Sequence, residues 1–347
     1  MSNAIIPAEI KVSGRYRATK YDKNLCVIEE TSWGKNLITG PGMDFLMGAA
    51  SAGTLYLHAV AGSGNAAPSL SDSTLQAYLG KYSACQAMTV ERNYTTAPYY
   101  VRITTTHRYY PGAFGASPVN IAEFGMVFSN TASNTSINGS TQIGSRALAV
   151  NGAGTPASTS IQPDEYLDQT WEWTWWIPDS ALATINVEVD GTPTSTDTEA
   201  RPACMGQSSG FTLCWFYPDF SPGVEPSGGG RIGVPNIFPT LNRNAVEAVS
   251  SSWAAQGPLG SAGDAIGGTF GAGLVCNTAT AAAYTSGNYY RDYTFTWGLN
   301  NGNATPNVAG AQLGLRAMMW QVSYSPAILK VAGKKLELTF RLSIANL

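Results

Sequence analysis

Alternation of apolar and polar positions with a period of two dominates the chain, and it predicts strands. Tyr99, Val101 and Ile103 alternate with Tyr100, Arg102 and Thr104, as a half-buried strand requires. Trp171, Trp173, Trp175 and Ile177 share one face, with Thr170, Glu172 and Thr174 opposite. Ile185, Val187 and Val189 repeat the pattern up to a turn signal at Asp190-Gly191. Tyr289, Arg291, Tyr293, Phe295 and Trp297 form another face. The most regular segment is Leu336, Leu338, Phe340, Leu342 and Ile344, opposed by Glu337, Thr339, Arg341 and Ser343. A strand that regular is expected to pair inside a sheet.

Helical spacing is scarce. Met43, Leu46, Met47 and Ala50 follow Pro41-Gly42 at i, i+3, i+4, i+7 and predict a short helix. Ser71-Asp72 is read as the cap of a turn or two through Leu75 and Leu79. Val246, Val249 and Trp253 suggest a third helix after Asn242–Asn244. Strands and helices do not alternate as in an α/β fold. The expectation is a mainly β protein: antiparallel, jelly-roll-like β-sandwich units with few short helices and long loops. Residues 1–30 read as an N-terminal arm or first strand and 31–183 as a β-sandwich domain. Residues 184–347 read as a second β-rich domain or a discontinuous continuation of the same sandwich, with a soft boundary near Ser180–Ala183. Ser129–Ser140, Ser221–Gly230, Gly257–Gly273 and Gly298–Ala309 are the long biased loops, of the kind that carry function or are covered by a neighbour.

Composition sharpens this picture. Apolar residues make up 44% of the 347 positions, enough for a core, while charged residues make up only 12%. Such a chain is neither disordered, which needs high charge, nor a helical bundle, whose faces consume Glu, Lys and Arg. A formal net charge of −3 argues against nucleic-acid binding. The cationic runs Lys11–Arg15–Arg17–Lys20 and Lys330–Lys334–Lys335 read as solvated strand edges. No apolar stretch reaches the length of a membrane span, and no leader pattern is seen, so the expectation is a protein made in the cytoplasm that stays soluble, without membrane insertion. Cys26, Cys85, Cys204, Cys214 and Cys276 lack CxxC spacing and read as buried free thiols.

Candidate chemistry is thin. His58, within Leu55–Val60, reads as a satisfied, half-buried core histidine, and His107 as a cross-strand polar partner. GxSxG, HExxH and P-loop patterns are absent. Asp164, Glu165 and Asp168 are the acids nearest the Trp-rich strand, but neighbours on a strand face opposite ways, so Asp164-Glu165 reads as a turn cap after Pro163. Asp190, Asp197 and Glu199 bracket a Thr/Ser/Pro loop and form a weak calcium candidate. Trp171, Trp173, Trp175 and Trp176 read as core or subunit interface before sugar platform. No catalytic residue, cofactor or metal is assigned.

Three stretches, in order, resemble a family of tailed-bacteriophage virion structural proteins associated with the tail or neck. The first runs from Glu29-Glu30-Thr31-Ser32-Trp33 through Asn36–Thr39, Gly42 and Leu46 to Gly62-Ser63-Gly64-Asn65-Ala66-Ala67-Pro68-Ser69, Asp72 and Leu75. The second holds Ile121-Ala122-Glu123-Phe124-Gly125, Ser145-Arg146-Ala147-Leu148 and Ile161–Leu167, with an aromatic strand ending at Pro178-Asp179. The third is Trp320–Lys330, closing on Lys335–Phe340. The likeness covers roughly residues 33–79, 99–179 and 312–347, leaving 187–307 outside it. It implies a non-enzymatic virion component, collar- or fibre-like, whose partners are other virion proteins and copies of itself. The alternatives are a capsid-decorating protein and a host-surface glycan-binding module using Trp and Tyr of Ser221–Gly273 or Gly298–Ala309. Within the shared positions, Gly62 and Gly64 are expected to turn the first core strand at φ > 0, and Pro68 to fix the following loop. Arg146 is expected to bind carbonyls or a carboxylate such as Glu123.

Overall fold

The computed structural model describes residues 5–48, 55–93, 98–129, 131, 133–177, 181–189, 192–202, 222–224, 230–232, 241–250, 278–299, 308–315, 318–328 and 333–347. The chain opens with β1 (Ile5–Tyr21), β2 (Val27–Glu30) and β3 (Gly34–Ile38), then helix α1 (Gly40–Gly48). Next come β4 (Leu55–Gly62), β5 (Tyr78–Lys81), β6 (Ala84–Asn93) and β7 (Tyr99–Tyr109). They are followed by β8 (Val119–Ile121), β9 (Glu123–Ser129), β10 (Ser145–Leu148), β11 (Thr159–Ile161) and β12 (Tyr166–Ile177). A hairpin of β13 (Ala181–Val189) and β14 (Thr192–Pro202) precedes β15 (Pro222–Val224), β16 (Gly230–Ile232) and β17 (Leu241–Ser250). The last five are β18 (Thr278–Ala281), β19 (Tyr290–Trp297), β20 (Val308–Leu315), β21 (Met318–Ile328) and β22 (Leu336–Asn346).

The protein is mainly β and almost wholly antiparallel. One long sheet runs β15-β16-β4-β9-β10-β3-β1-β12-β7-β6, and β13-β14-β21-β20-β17 form a second. Strand β1 organises the first. Along one edge it pairs with β12 from Lys11–Trp176 to Tyr21–Tyr166. Along the other it meets β22 in parallel over Ile5–Val12, then β3 at Gly14–Tyr16, then β2 at Thr19–Tyr21. The regular strand β22 is thus held between β1 and β19, inside the sheet as its alternation predicts. The second half of the chain therefore contributes β15, β16, β18, β19 and β22 to the first sheet.

The sheet curls onto itself. Strands β9 and β12 are separated by three others in the pairing order, yet Phe128 of β9 lies 4.8 Å from Trp173 of β12, centroid to centroid. Tyr16 of β1 likewise meets Phe124 of β9 at 5.2 Å. The core fills this interior: Tyr16, Phe124, Trp171, Trp173, Trp175, Val101, Ile103 and the inward side of β22 are all buried. Aromatic rings serve here because each removes a large apolar area from water.

Three elements differ from expectation. Residues 71–77 form turns rather than a helix, because Asp72 spends its carboxylate on the Ser69 N–H and on Arg146, and Leu79 lies on β5. Residues 241–250 form strand β17, not a helix; register shifts between Leu241/Val246 and between Val249/Ser250 distort the two-residue rhythm and leave an apparent helical spacing. Trp253 lies outside the described residues. Strand β19 starts at Tyr290, because Tyr289 has φ 54° and turns the chain there. The short helix after Pro41-Gly42 is present as α1.

The buried ring cluster sets a test. Trp173→Ala should cost about 3–5 kcal/mol of unfolding free energy, while Thr104→Ala on the outer face of β7 should change it by no more than about 0.5 kcal/mol, both read by denaturant titration.

Candidate functional site

A buried polar assembly sits where β4, β9 and β10 meet. Gly62 at the end of β4 pairs with Glu123 at the start of β9, and Glu123 pairs with Leu148 of β10. The Glu123 carboxylate, 0% exposed, accepts Arg146 Nε–H at 2.8 Å and the backbone N–H groups of Gly64 (3.0 Å), Ala77 (2.8 Å) and Gln76 (3.2 Å). Arg146, also 0% exposed, donates through Nη1 to Asp72 Oδ2 at 2.8 Å and to the Ala67 carbonyl at 3.4 Å. The pairing of Arg146 with Glu123 is as expected. Asp72 is a second carboxylate that sequence spacing does not link to Arg146. The pair therefore anchors the whole connection from Gly62 to Tyr78 onto the sheet.

The two glycines have a different reason from the one anticipated. Neither Gly62 nor Gly64 has positive φ. A Cβ on Gly62 would lie 2.6 Å from both the Ala77 carbonyl oxygen and Glu123 Oε1, and one on Gly64 would lie 2.5 Å from Glu123 Oε1. Closeness to the buried carboxylate, not backbone strain, demands them.

A second cluster lies between β4, β6 and β7. His58 is fully buried rather than half-buried; its Nε2 donates to the Thr131 carbonyl at 3.1 Å, so Nδ1 accepts from the Tyr82 hydroxyl at 2.9 Å. The Tyr82 ring stands edge-on to His107, 4.9 Å away. His107 faces the core instead of reaching across strands to a polar side chain; its Nε2 meets Thr105 Oγ1, two residues along the same strand, at 3.2 Å, and its Nδ1 has no partner. Burial, then the nearby His58, holds the His107 pKa down at about 3, and burial likewise lowers His58. Cys85, paired with His107 in the backbone ladder, is buried and its thiol is pushed up to about 11 by burial. A thiol held protonated, whose Sγ reaches the Ala87 carbonyl, is not an activated nucleophile.

The other candidates fall apart spatially. Glu165 closes the turn after Gln162, accepting its N–H at 2.8 Å, while Asp168 is clamped by both Nε and Nη2 of Arg108 at 2.7 Å. Asp197 and Glu199 belong to strand β14 rather than a loop, with Asp197 about 17 Å along the strand from Thr192. Asp190 lies outside the described residues, as do Cys204, Cys214, Cys276 and nearly all of the loops at 203–277 and 300–307. Trp171, Trp173 and Trp175 are core, and Trp176 is half-buried against Ser13 through a 2.8 Å hydrogen bond. Among the described residues no group of three or more His, Cys, Asp or Glu side chains is placed to hold a metal, and no helix is long and apolar enough to cross a membrane.

Two readings of charged and thiol groups need correction. The run Lys11–Lys20 lies on the central strand β1, so it guards no edge. Arg15 grips Glu172 bidentately at 2.7 and 2.9 Å, Arg17 meets Glu30 at 2.9 Å, and both guanidiniums lie over the Trp33 ring. Arg102 carries the pattern on, to Glu172 at 3.4 Å and Glu91 at 3.0 Å. Of the cysteines, Cys26 is exposed rather than buried, because it sits at the tip of the β1–β2 hairpin. Asp44 of α1 was not singled out by any motif. It accepts the Gly287 N–H at 2.8 Å and the hydroxyls of Tyr284 and Ser286, fastening the turn before β19 to the helix.

No known protein family matches the chain, and neither a curated protein nor a solved structure does. Arg15, Arg102, Arg108, Arg146 and Arg341 each face a carboxylate, and burial lowers the pKa of both histidines.

Two measurements follow. Arg146→Ala should cost about 3–5 kcal/mol, because it strands the buried Glu123 carboxylate; unchanged thermal melting would rule the network out as an anchor. For His107, the folded pKa of about 3 lies below the ordinary 6.5. Its contribution is therefore fully present above pH 6.5 and is lost as the pH falls toward 3. Unfolding free energies of the wild type and His107→Gln, measured across that window, should converge as the solution is acidified; parallel curves would contradict it.

Proposed function

We propose that the protein is a non-enzymatic structural component of a tailed-bacteriophage virion, assembling with copies of itself and with neighbouring virion proteins at the neck or tail. The observation that carries this reading is convergence. The stretches that resemble such proteins are far apart in the chain, yet their singled-out residues Gly62, Gly64, Asp72, Glu123 and Arg146 meet in one buried network. A shared set of residues that locks a loop to a sheet is what a family with a common scaffold would retain. The aromatic core and low charge agree with a chain whose work is to hold shape and contact neighbours.

Gold-antibody labelling of intact phage particles, viewed by negative-stain electron microscopy, should place label on the neck or tail. Label over the head would make it a capsid-decorating protein. Purified particles devoid of the protein would overturn the virion reading.

A further inference from the structure

Residues 133–143 form a strap over the outside of the sheet, apart from the main core. Ile137 and Ile143 are buried with Val60 of β4, Val127 of β9 and Leu75 in a small cluster of their own. The ends of the strap are tied down. Lys81 Nζ donates to the Asn134 and Thr135 carbonyls, and the Thr39 hydroxyl donates to the Ile143 carbonyl at 2.8 Å. The bend between them, Asn138-Gly139, is exposed and held by bonds of its own. The Asn138 N–H donates to Thr141 Oγ1 at 2.9 Å, and the Thr141 N–H returns to the Asn138 carbonyl at 3.0 Å.

This bend assembles what a backbone nitrogen needs to attack the side-chain amide before it. Gly139 has no Cβ to shield its nitrogen, and among the described residues no hydrogen bond occupies its N–H. The Ser140 N–H, donating to Asn138 Oδ1 at 2.9 Å, folds the carboxamide back over the Asn138–Gly139 peptide. The Ser140 hydroxyl donates to the same oxygen at 2.7 Å. Two donors thus face the atom that gathers negative charge as a ring closes, as in an oxyanion hole. At Asn151-Gly152 the pair of residues is the same, and Asn151 Oδ1 also has two donors, the N–H groups of Ala153 and Thr155. That turn, however, is braced from a distant segment. Ser32 donates its N–H to the Asn151 carbonyl at 3.2 Å and its hydroxyl to the Gly152 carbonyl, so turning the peptide toward the side chain there breaks a tertiary contact.

We propose that Asn138-Gly139 is a site of spontaneous deamidation and isomerisation that slackens the strap. The Gly139 nitrogen gives its proton to a base in solution and bonds to Asn138 Cγ. The Cγ–Nδ2 bond breaks, and Nδ2 takes up a proton and leaves as ammonia. One water then opens the resulting succinimide. Cleavage of the bond from nitrogen to Cγ leaves an aspartate. Cleavage of the bond from nitrogen to the backbone carbonyl carbon leaves an isoaspartate, with the chain routed through the side chain and one carbon longer. The net exchange is water in and ammonia out, with no oxidant or cofactor. The added carbon lies next to the buried Ile137, so isoaspartate loosens its fit against Val60 and Val127. The chemistry needs only this chain and water, and it stands apart from the virion assignment.

The test ages the full chain, folded, at mildly alkaline pH in heavy-oxygen water, then digests it in ordinary water and reads the peptides by mass spectrometry and by isoaspartyl methyltransferase. The Asn138 peptide should take up one heavy oxygen and become methylatable faster than the Asn151 peptide, and in guanidinium the two rates should meet. Gly139→Ala, at a φ outside the left-handed region and with its Cβ 3.3 Å from that of Tyr78, should slow conversion roughly tenfold or more. Ser140→Ala, which removes one of the two donors, should slow it less. Aged protein should melt below the Asn138→Asp variant, which carries the charge on a backbone of ordinary length. An Asn138 peptide that stays intact in the folded protein while it converts in guanidinium would overturn the site, as would equal rates at Asn138 and Asn151 in the fold. Aged protein that melts together with Asn138→Asp would overturn the slackening of the strap.

Discussion

Strand β1 must satisfy two edges at once, and the rest of the main sheet depends on how it does so. One edge is given to β12 from Lys11 to Tyr21. The other is divided among β22, β3 and β2, so three segments from distant parts of the sequence are held in register by one backbone. That division splits the sheet into two branches, β22-β19-β18 and β3-β10-β9-β4, and the curl between β9 and β12 makes the interior that Trp171 and Trp173 fill.

The interior holds a good deal of polarity for such a lightly charged chain. Several buried groups have a local answer: Glu123 takes three backbone N–H groups besides Arg146, Gln169 supports the indole of Trp171 and the hydroxyl of Tyr109, and His58 is bonded at both nitrogens, whereas His107 Nδ1 and Arg146 Nη2 are left without a partner. Such groups are costly to bury and costlier to leave unpaired, so their geometry constrains which packing the chain accepts. On the outer face, Arg15, Glu172, Arg102 and Glu91 alternate in sign across four strands, and the long arginine stems shield the carboxylates beneath them.

Much of this was legible in the sequence. Period-two alternation marked β7, β12, β19 and β22 and the inward side of each, because a strand with one buried face cannot hide its rhythm. The partnership of Arg146 with Glu123 was readable because a buried guanidinium demands a carboxylate. What was not legible depends on contacts between distant segments. Whether Arg15 and Arg17 stand at an edge or in the middle of a sheet is decided by β12 and β3, not by their neighbours in sequence. Bulges in β17 counterfeit a helical spacing, and the requirement for glycine at 62 and 64 arises from a carboxylate some sixty residues away.

The parallel pairing of Ile5–Val12 with Thr339–Asn346 has a consequence for the chain's history. Until the last of these residues leaves the ribosome, the N-terminal half of β1 has one edge with nothing to bind. A loop of more than three hundred residues must be synthesised and closed before that edge is capped. During translation the nascent chain therefore carries a long, apolar, unpaired strand, the kind of surface that chaperones hold and that aggregates recruit.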